Sequence, residues 1–305
     1  MKLLITGALG HIGSYIIHDL VKLKKIKKIV LIDNASSSKF NILFGFKNKK
    51  LRYLFGNLND KKFCNKIPKT NIVIHLASIT NAEKSFEIKK ELKNNNLGCF
   101  RNIINYCRKN KSKLIHISST SVYGPQKEFV DETQKKLSPR SPYADVKLKE
   151  EIILKKKTKI DYISLRFGTI SGFSQGMRFH TAVNKFCLNA VLGIKIPIWG
   201  RSTNLYRPYL SLKDASKTII FIIKKNYFPK DIFNILSENK TVDEILEIIK
   251  KNKINPEIKY VKSRILNQDT YKISKKKFEK LGIKLNSKIK NDINKTLKML
   301  KINKS

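Results

Sequence analysis

Acid is what this chain of 305 residues lacks most: 23 Asp and Glu stand against 64 Lys and Arg, a formal charge of +41. An excess of that size raises polyanion binding as a first idea. Arginine, the residue suited to reading base edges, is nevertheless sparse. The lysines are scattered through "KLKKIKK", "KNKK", "KKKTK" and "ISKKKFEK", with abundant Asn and Ile around them. The pattern describes a solvated lysine surface with no specific nucleic-acid partner. Cysteine is scarce too. Cys64, Cys99, Cys107 and Cys187 form no C-x-x-C pair and no zinc-type spacing, and His11, His18, His75, His116 and His180 form no H-x-x-x-H pair. Reduced thiols are therefore expected and a metal site is not. Long apolar runs are missing: nothing approaches the roughly 20 residues of a bilayer span, and "MKLLIT" enters strand-like sequence at once, leaving no room for a signal peptide. The expectation is a soluble cytoplasmic protein with no membrane partner, long enough to bury a large core.

What is present is alternation. Apolar, Ile/Val/Leu-rich runs predict strands at Lys2–Thr6, Lys28–Asp33, Leu51–Leu58, Asn71–Ala77, Lys113–Ser119 and Asp161–Gly168. Helix-period stretches lie between them, such as Ile12, Ile16, Leu20 and Leu23 on one stripe. Buried strands alternating with helices imply an α/β fold with a doubly wound parallel sheet of Rossmann type. After about residue 170, glycines and prolines punctuate shorter segments, and helices are predicted at Lys213–Lys225, Val242–Lys251 and near Ser287–Leu300. Thr241 with Glu244 forms the T-x-x-E box that opens the middle one. We read residues 1–170 as a dinucleotide-binding domain and 171–305 as a smaller, mixed C-terminal lobe that binds substrate, with some strands and helices exchanged between the two.

The first strand runs into "TGALGHIGS". Gly7, Gly10 and Gly13 follow a strand and open a helix, the setting in which glycine serves a tight turn, a backbone close to a pyrophosphate, and close helix–strand packing. The diphosphate would rest on free N–H groups at the helix N-terminus. A glycine triplet alone is weak evidence, and a structural turn is the competing reading. The second strand strengthens the case, because "KIVLIDN" ends in Asp33, twenty residues after Gly13, where an acid binds the adenosine ribose hydroxyls. A carboxylate there repels a 2′-phosphate, which favours NAD over NADP.

"SPYADVK" places Tyr143 and Lys147 four residues apart at the start of a helical stretch, Tyr143–Lys156, and so on one helix face. A free phenol titrates near pH ~10, and a neighbouring cation lowers a pKa by roughly 1–3 units, so Lys147 would bring Tyr143 toward working pH. Upstream, "LIHISSTSVYG" ends a strand in hydroxyl residues at the carboxyl edge, where open α/β sheets bind ligands.

With these residues in order, the sequence resembles the extended short-chain dehydrogenase/reductases, the NAD-dependent nucleotide-sugar epimerases and dehydratases. The resemblance covers nearly the whole chain, through "TGALGHIGS", "LIDNASSS", "FGNLND", "VIHLAS", "NNNLGCFRNIINYCRK", "HISSTSVYG", "SPYADVK", "LRFGTISG", "RPYLSLKDAS", "FNIL" and "ISKKKFEKLGI". It implies Ser119 as the catalytic hydroxyl, Tyr143 as the base and Lys147 as its ribose-binding, pKa-lowering partner. It implies NAD held by Gly7, Gly10, His11, Ile12 and Gly13 at the pyrophosphate, by Asp33 and Asn34 at the adenosine ribose, and by Asn57 and Leu58 near adenine. Leu76, Ala77 and Ser78 would line the phosphate side, with Asn95 near the nicotinamide half. Arg207 resembles the arginine that grips a sugar-nucleotide diphosphate, and Asp214 the acid that ends that motif; Ser119 and Thr120 would also face the sugar.

The family implies hydride transfer from a sugar carbon to NAD and a transient keto sugar, with Tyr143 taking the hydroxyl proton and Ser119 steadying the oxygen. Related 4,6-dehydratases use an Asp-Glu pair after the catalytic hydroxyl; here those positions are Thr120 and Ser121, which cannot exchange protons near neutral pH. A UDP-sugar 4-epimerase type of reaction is therefore expected first, with dehydration or keto reduction second. A non-catalytic NAD-binding protein or a basic nucleic-acid binder stands as the reading from another class. The substrate side departs from the usual pattern: Thr169 stands where an Asn often binds the diphosphate, Pro208 replaces an Asp, and Gly176–Phe186 is unfamiliar, with Arg178 and His180 open to phosphate or carboxylate contacts or to a structural role. By the same resemblance a homodimer is expected through the Tyr143 helix and the one near Asn102–Arg108.

Overall fold

The computed structural model describes residues 1–37, 39–45, 47–126, 129–157, 159–199, 203–261 and 272–301. Its centre is a seven-stranded, wholly parallel sheet. The strands are β1 (Lys2–Thr6), β2 (Lys28–Asp33), β3 (Leu51–Phe55), β4 (Ile72–His75), β5 (Lys113–Ser119), β6 (Tyr162–Phe167) and, much later in the chain, β10 (Asp231–Ile235). Their order across the sheet is β10-β6-β5-β4-β1-β2-β3, so the winding reverses between β1 and β4. Ligands of open α/β sheets bind outside the strand ends at such a reversal.

Alternation along β1 explains the layers. Leu3 and Ile5 point to one face and join Ile12, Ile16 and Leu20 of helix α1 (His11–Leu20) and Ile219 and Ile222 of α6 (Leu212–Lys225). Leu4 points to the other face, into a cluster with Val73, Leu114 and Phe100, Ile103 and Cys107 of α3 (Lys89–Asn110). Both faces are covered, which is why the strands are rich in Ile, Val and Leu and why the polar residues that they do carry, such as His75, His116, Ser164 and Arg166, are buried. Helix α4 (Pro142–Lys157) packs beside α3 and over β5, while the short α2 (Lys61–Asn65) closes the edge near β3.

Beyond the sheet, β7 (Thr169–Ser171), β9 (Arg207–Ser211) and β11 (Glu238–Lys240) form a small mixed sheet, and β8 (Ile196–Trp199) pairs in parallel with β12 (Ile258–Val261). They pack against α5 (Ala182–Leu192), α7 (Val242–Lys250) and α9 (Ile289–Leu300), through a core of Val183, Phe186, Ile196, Ile245, Ile249, Ile289 and Ile293. Phe278 of α8 (Lys276–Glu279) and Leu285 return to the large sheet's core.

Strands β1, β2 and β5 occupy the residues that their apolar runs predict. Others stop short of the prediction. β3 ends at Phe55 instead of Leu58, because the Asn57 side chain accepts from the Asn59 amide and turns the chain. β4 spans Ile72–His75 inside the expected 71–77, and β6 spans Tyr162–Phe167 inside 161–168. The Thr241–Glu244 capping box forms in full. Among the described residues the four cysteines are free, no group of three or more His, Cys, Asp or Glu could hold a metal, and no helix is long and apolar enough to cross a membrane.

Candidate active site

The glycine loop fits a dinucleotide because side chains would not. Gly7 has a φ of 66°, and a Cβ there would come within 2.6 Å of the Ala77 nitrogen; a Cβ on Gly13 would come within 2.5 Å of the Ala8 carbonyl. The loop therefore lies flat against the end of β4, and α1 starts at His11 with no side chain capping its first amides. Those amides remain for a phosphate. Asp33, at the end of β2, accepts from Leu9 N through one carboxylate oxygen (3.0 Å) and from Ala35 N through the other (2.8 Å). It thus ties the glycine loop to β2 and leaves further lone pairs for ribose hydroxyls. Asn34 turns its carbonyl oxygen to Ser36 N.

Around the crevice, Leu58 is buried and its carbonyl accepts from Asn102 of α3 at 2.7 Å. Leu76, Ala77 and Ser78 continue from β4; Leu76 N donates to Thr6 O and Ala77 N to Thr6 Oγ1. Asn95 accepts from Asn59 and donates to Asn96. Sequence reasoning points to Asn95 and misses its neighbour: Asn96, 1% exposed, clamps both main-chain groups of Ile79, accepting from its N–H at 2.9 Å and donating to its carbonyl at 3.0 Å. Asn96 fixes the Leu76–Thr80 wall.

Ser119 ends β5, where its hydroxyl oxygen accepts from the amide (3.2 Å) and hydroxyl (2.9 Å) of Ser121. Tyr143, the second residue of α4, is half-buried and packs with Ile79, Leu92 and Val146. Lys147 follows one turn later on the same face and is 3% exposed. Its ammonium donates to Glu150 Oε2 at 2.8 Å, and the same oxygen lies 2.9 Å from His116 Nε2 of β5. Burial alone would lower the Lys147 pKa, but the Glu150 carboxylate, followed by the Tyr143 oxygen, outweighs it and raises it. Helix α4 carries a second buried pair, Glu151 with Arg166 of β6 (2.9 and 2.7 Å), and Ser118 donates to Glu151 as well (2.6 Å). The Arg166 guanidinium stacks 4.7 Å from the Tyr123 ring centroid. These pairs lock α4 onto β5 and β6 and so fix the helix face that carries Tyr143 and Lys147.

The substrate-side candidates divide. Thr120 donates to Phe167 O and is buried, so its hydroxyl serves the β5–β6 connection. Thr169 begins β7 beside Tyr209, and Arg207 begins β9 with Nη1 donating to Tyr206 O. Asp214 is structural: it accepts from Ser237, Ser287 N and Ser287 Oγ, all at 2.6–3.0 Å. The loop after β7 folds onto the glycine loop, since a Cβ on Gly176 would come within 2.5 Å of Gly10 O. Lys39 donates to the Gly176 and Met177 carbonyls at 2.8 Å each. Arg178 hydrogen-bonds Thr80, while its Nε is sealed from solvent with no partner. His11 Nε2 donates to the Gly172 carbonyl (2.8 Å), and its Nδ1 is likewise buried and unpartnered. Burial, with the nearby cations adding to it, lowers His11 to about 3 and His180 to about 4. Lys39 carries no sequence signal, because the carbonyls that it holds lie 137 and 138 residues further along the chain.

The fold is shared with known enzymes. A Bacillus cereus UDP-glucuronic acid 4-epimerase, crystallised with UDP-glucuronic acid and NAD, superposes with a TM-score of 0.88 over 99% of both chains at 22% identity. A putative UDP-glucose 4-epimerase of Methanocaldococcus jannaschii is 26% identical over 310 residues, covering 99% of each chain. A trifunctional UDP-glucose 4,6-dehydratase, 3,5-epimerase and reductase of Arabidopsis thaliana is 25% identical over 298 residues, covering 92% of this chain and 44% of the plant protein. The chain thus spans less than half the length of that plant relative. Residues 3–235 match the family model described as the NAD dependent epimerase/dehydratase family, and the chain belongs to that family.

Proposed function

We propose that the protein is a nucleotide-sugar 4-epimerase acting through a transient keto sugar. What supports this reading is that Ser119 ends β5 while Tyr143 and Lys147 lie one turn apart on α4, the helix packed against β5, with hydroxyl residues at 120 and 121 where an eliminating enzyme needs acids. Bound NAD would accept a hydride from the sugar and return it. The chain's own groups supply the rest. The first amides of α1 and the Gly7–Gly13 loop, with His11 and Ile12, bind the cofactor's diphosphate. Asp33 and Asn34 take the adenosine ribose, with Asn57 and Leu58 beside the adenine, Leu76–Ser78 along the phosphate side and Asn95 near the nicotinamide half. Tyr143 Oη removes the sugar hydroxyl proton and later gives it back. Ser119 donates a hydrogen bond to the oxygen on which charge develops. Lys147 binds the nicotinamide ribose and faces the phenol with positive charge.

Arg178, Arg207 and Thr169 are assigned to the substrate's phosphates and sugar. Arg178 supports this best, because a desolvated guanidinium with an unpartnered Nε is costly until an anion reaches it. A homodimer through α3 and α4 is part of the same proposal. A groove of about 460 Å³ between those helices is lined by Arg101, Ile104, Ile152 and Ile153, with Ile152 43% exposed. The test is direct: the purified chain is incubated with UDP-, GDP-, CDP- and dTDP-sugars, and cofactor and products are identified by mass spectrometry and NMR. A C4 epimer of one sugar is the expected product. A keto-6-deoxy sugar assigns the dehydratase reading, and no product from any donor contradicts catalysis.

A further inference from the structure

The face of Lys147 turned away from Tyr143 holds a chain of buried polar groups that the proposed reaction does not use. Lys147 Nζ donates to Glu150 Oε2 at 2.8 Å; the same oxygen lies 2.9 Å from His116 Nε2; and His116 Nδ1 lies 2.9 Å from Ser164 Oγ on β6. All four side chains are buried: Lys147 is 3% exposed, Glu150 1%, and His116 and Ser164 0%. The chain runs through three elements, from α4 across β5 to β6. The Phe100 ring of α3 packs at a tilt against the His116 ring, 5.0 Å between centroids, closing the network from the side.

Fold stability alone gives little reason for such an arrangement. Buried polar groups replaced by packed apolar ones are often neutral or stabilising, and the neighbouring Glu151–Arg166 pair already binds α4 to the sheet. What the arrangement does accomplish is local. An ammonium in an apolar interior loses its proton readily, with shifts reaching roughly 3–5 units for a fully buried lysine. A lysine side chain is also long and flexible, with no fixed direction. A carboxylate at 2.8 Å, itself fixed by an imidazole in a rigid strand, removes both weaknesses.

We propose that Glu150 is a positioning residue for the active site: held by His116, it fixes the location of the Lys147 ammonium beneath Tyr143 and keeps that ammonium charged. The inference rests on the proposed role of Lys147 at the nicotinamide ribose. Glu150 touches neither cofactor nor sugar and acts through Lys147. The other ionisable groups around the pair are Tyr143 and Glu151 on α4, His75 on β4 and Cys99 on α3. Burial keeps His75 neutral, at about 3, and pushes Cys99 up to about 12, so neither supplies charge near neutral pH. Glu151 is committed to Arg166. Glu150 is therefore the one carboxylate among the described residues within ion-pair distance of Lys147.

The test is the pH dependence of NAD binding to the full chain, measured by calorimetry without any sugar. The parent is expected to bind with nearly constant Kd from about pH 7 to about pH 9.5, since its lysine stays charged. Glu150→Gln keeps the shape and removes the charge, and its affinity is expected to fall on the order of ten-fold further across that range as Lys147 loses its proton. Glu150→Asp should restore the flat profile. A parallel loss at every pH would mark a merely structural residue and overturn the inference. The pair Lys147→Met and Lys147→Met/Glu150→Gln covers the case in which Glu150→Gln does not fold, because the double variant buries no unpaired charge. The two are expected to match in affinity and slope, and a difference between them means that Glu150 acts by another route. A parent that binds no NAD at any pH would instead contradict the role given to Lys147, leaving Glu150 as a structural ion pair.

Discussion

Two charge systems flank the crevice, one buried and one partly open to solvent, and they are built differently. On the α4 side, every charge has its opposite in the chain: Lys147 with Glu150, and Arg166 with Glu151. On the loop side, Lys39, Arg178 and His180 crowd one another, and Asp33 is the acid felt by Lys39, beyond ion-pair distance. The first system is complete without a ligand and sets geometry. The second is electrically unfinished, and a bound diphosphate or other anion would complete it.

Four experiments break or sharpen this comparison. The largest effect is expected at Tyr143, the proposed base, which interacts electrostatically with both Lys147 and Arg178. Tyr143→Phe should reduce turnover on the order of 1,000-fold, within the usual range for a lost general base, while NAD content and thermal unfolding stay near those of the parent; retained turnover would remove Tyr143 from the mechanism. Next comes the finished side. Arg166→Met leaves Glu151 buried without its partner and is expected to cost about 3–5 kcal/mol in denaturant unfolding. A cost near zero would show that the pair contributes no rigidity.

Acid should then loosen the fold through its buried histidines. His75 is lowered to about 3 by burial first, and His11 to about 3 by the same cause. Both are neutral in the folded chain, whereas the unfolded chain takes up protons below its ordinary value of 6.5. Their contribution is complete above that value and is lost as pH falls from about 6.5 toward about 3, with a slope of about 1.4 kcal/mol per pH unit for each. Urea unfolding across that range measures it, and His75→Gln should flatten the slope. The smallest effect belongs to the unfinished side. Arg178→Gln is expected to raise the stability of the ligand-free chain by about 1 kcal/mol, because a desolvated, unpaired charge is gone, and to weaken substrate binding by about 10-fold or more. A destabilised variant with unchanged substrate affinity would make Arg178 a structural residue.

The parts legible in the sequence are those governed by local period and by glycine. Strands β1 and β2 announce themselves by unbroken apolar runs, β5 by an apolar run interrupted at His116, and Gly7, Gly13 and Asp33 by the spacing that a close backbone demands. Strand ends are less legible, because a side-chain turn such as Asn57 to Asn59 stops pairing without changing composition. Contacts between distant segments leave no local trace. Glu150 carries an i,i+3 signal relative to Lys147 on α4, yet its second partner, His116, lies on β5 and its meaning emerges only in three dimensions. Asn96 and Asn95 are indistinguishable by type; the turn of α3 decides which one reaches Ile79. The joining of β10 to the large sheet, more than 60 residues after β6, is likewise a tertiary fact.

The most direct test of the central claim is to turn over the accepted nucleotide sugar in deuterated water and weigh the product. A keto sugar that is made and reduced within one closed crevice should give the C4 epimer with no deuterium on carbon and no reduced cofactor set free. A product that has lost water and gained deuterium on carbon, or reduced cofactor accumulating in solution, would contradict it.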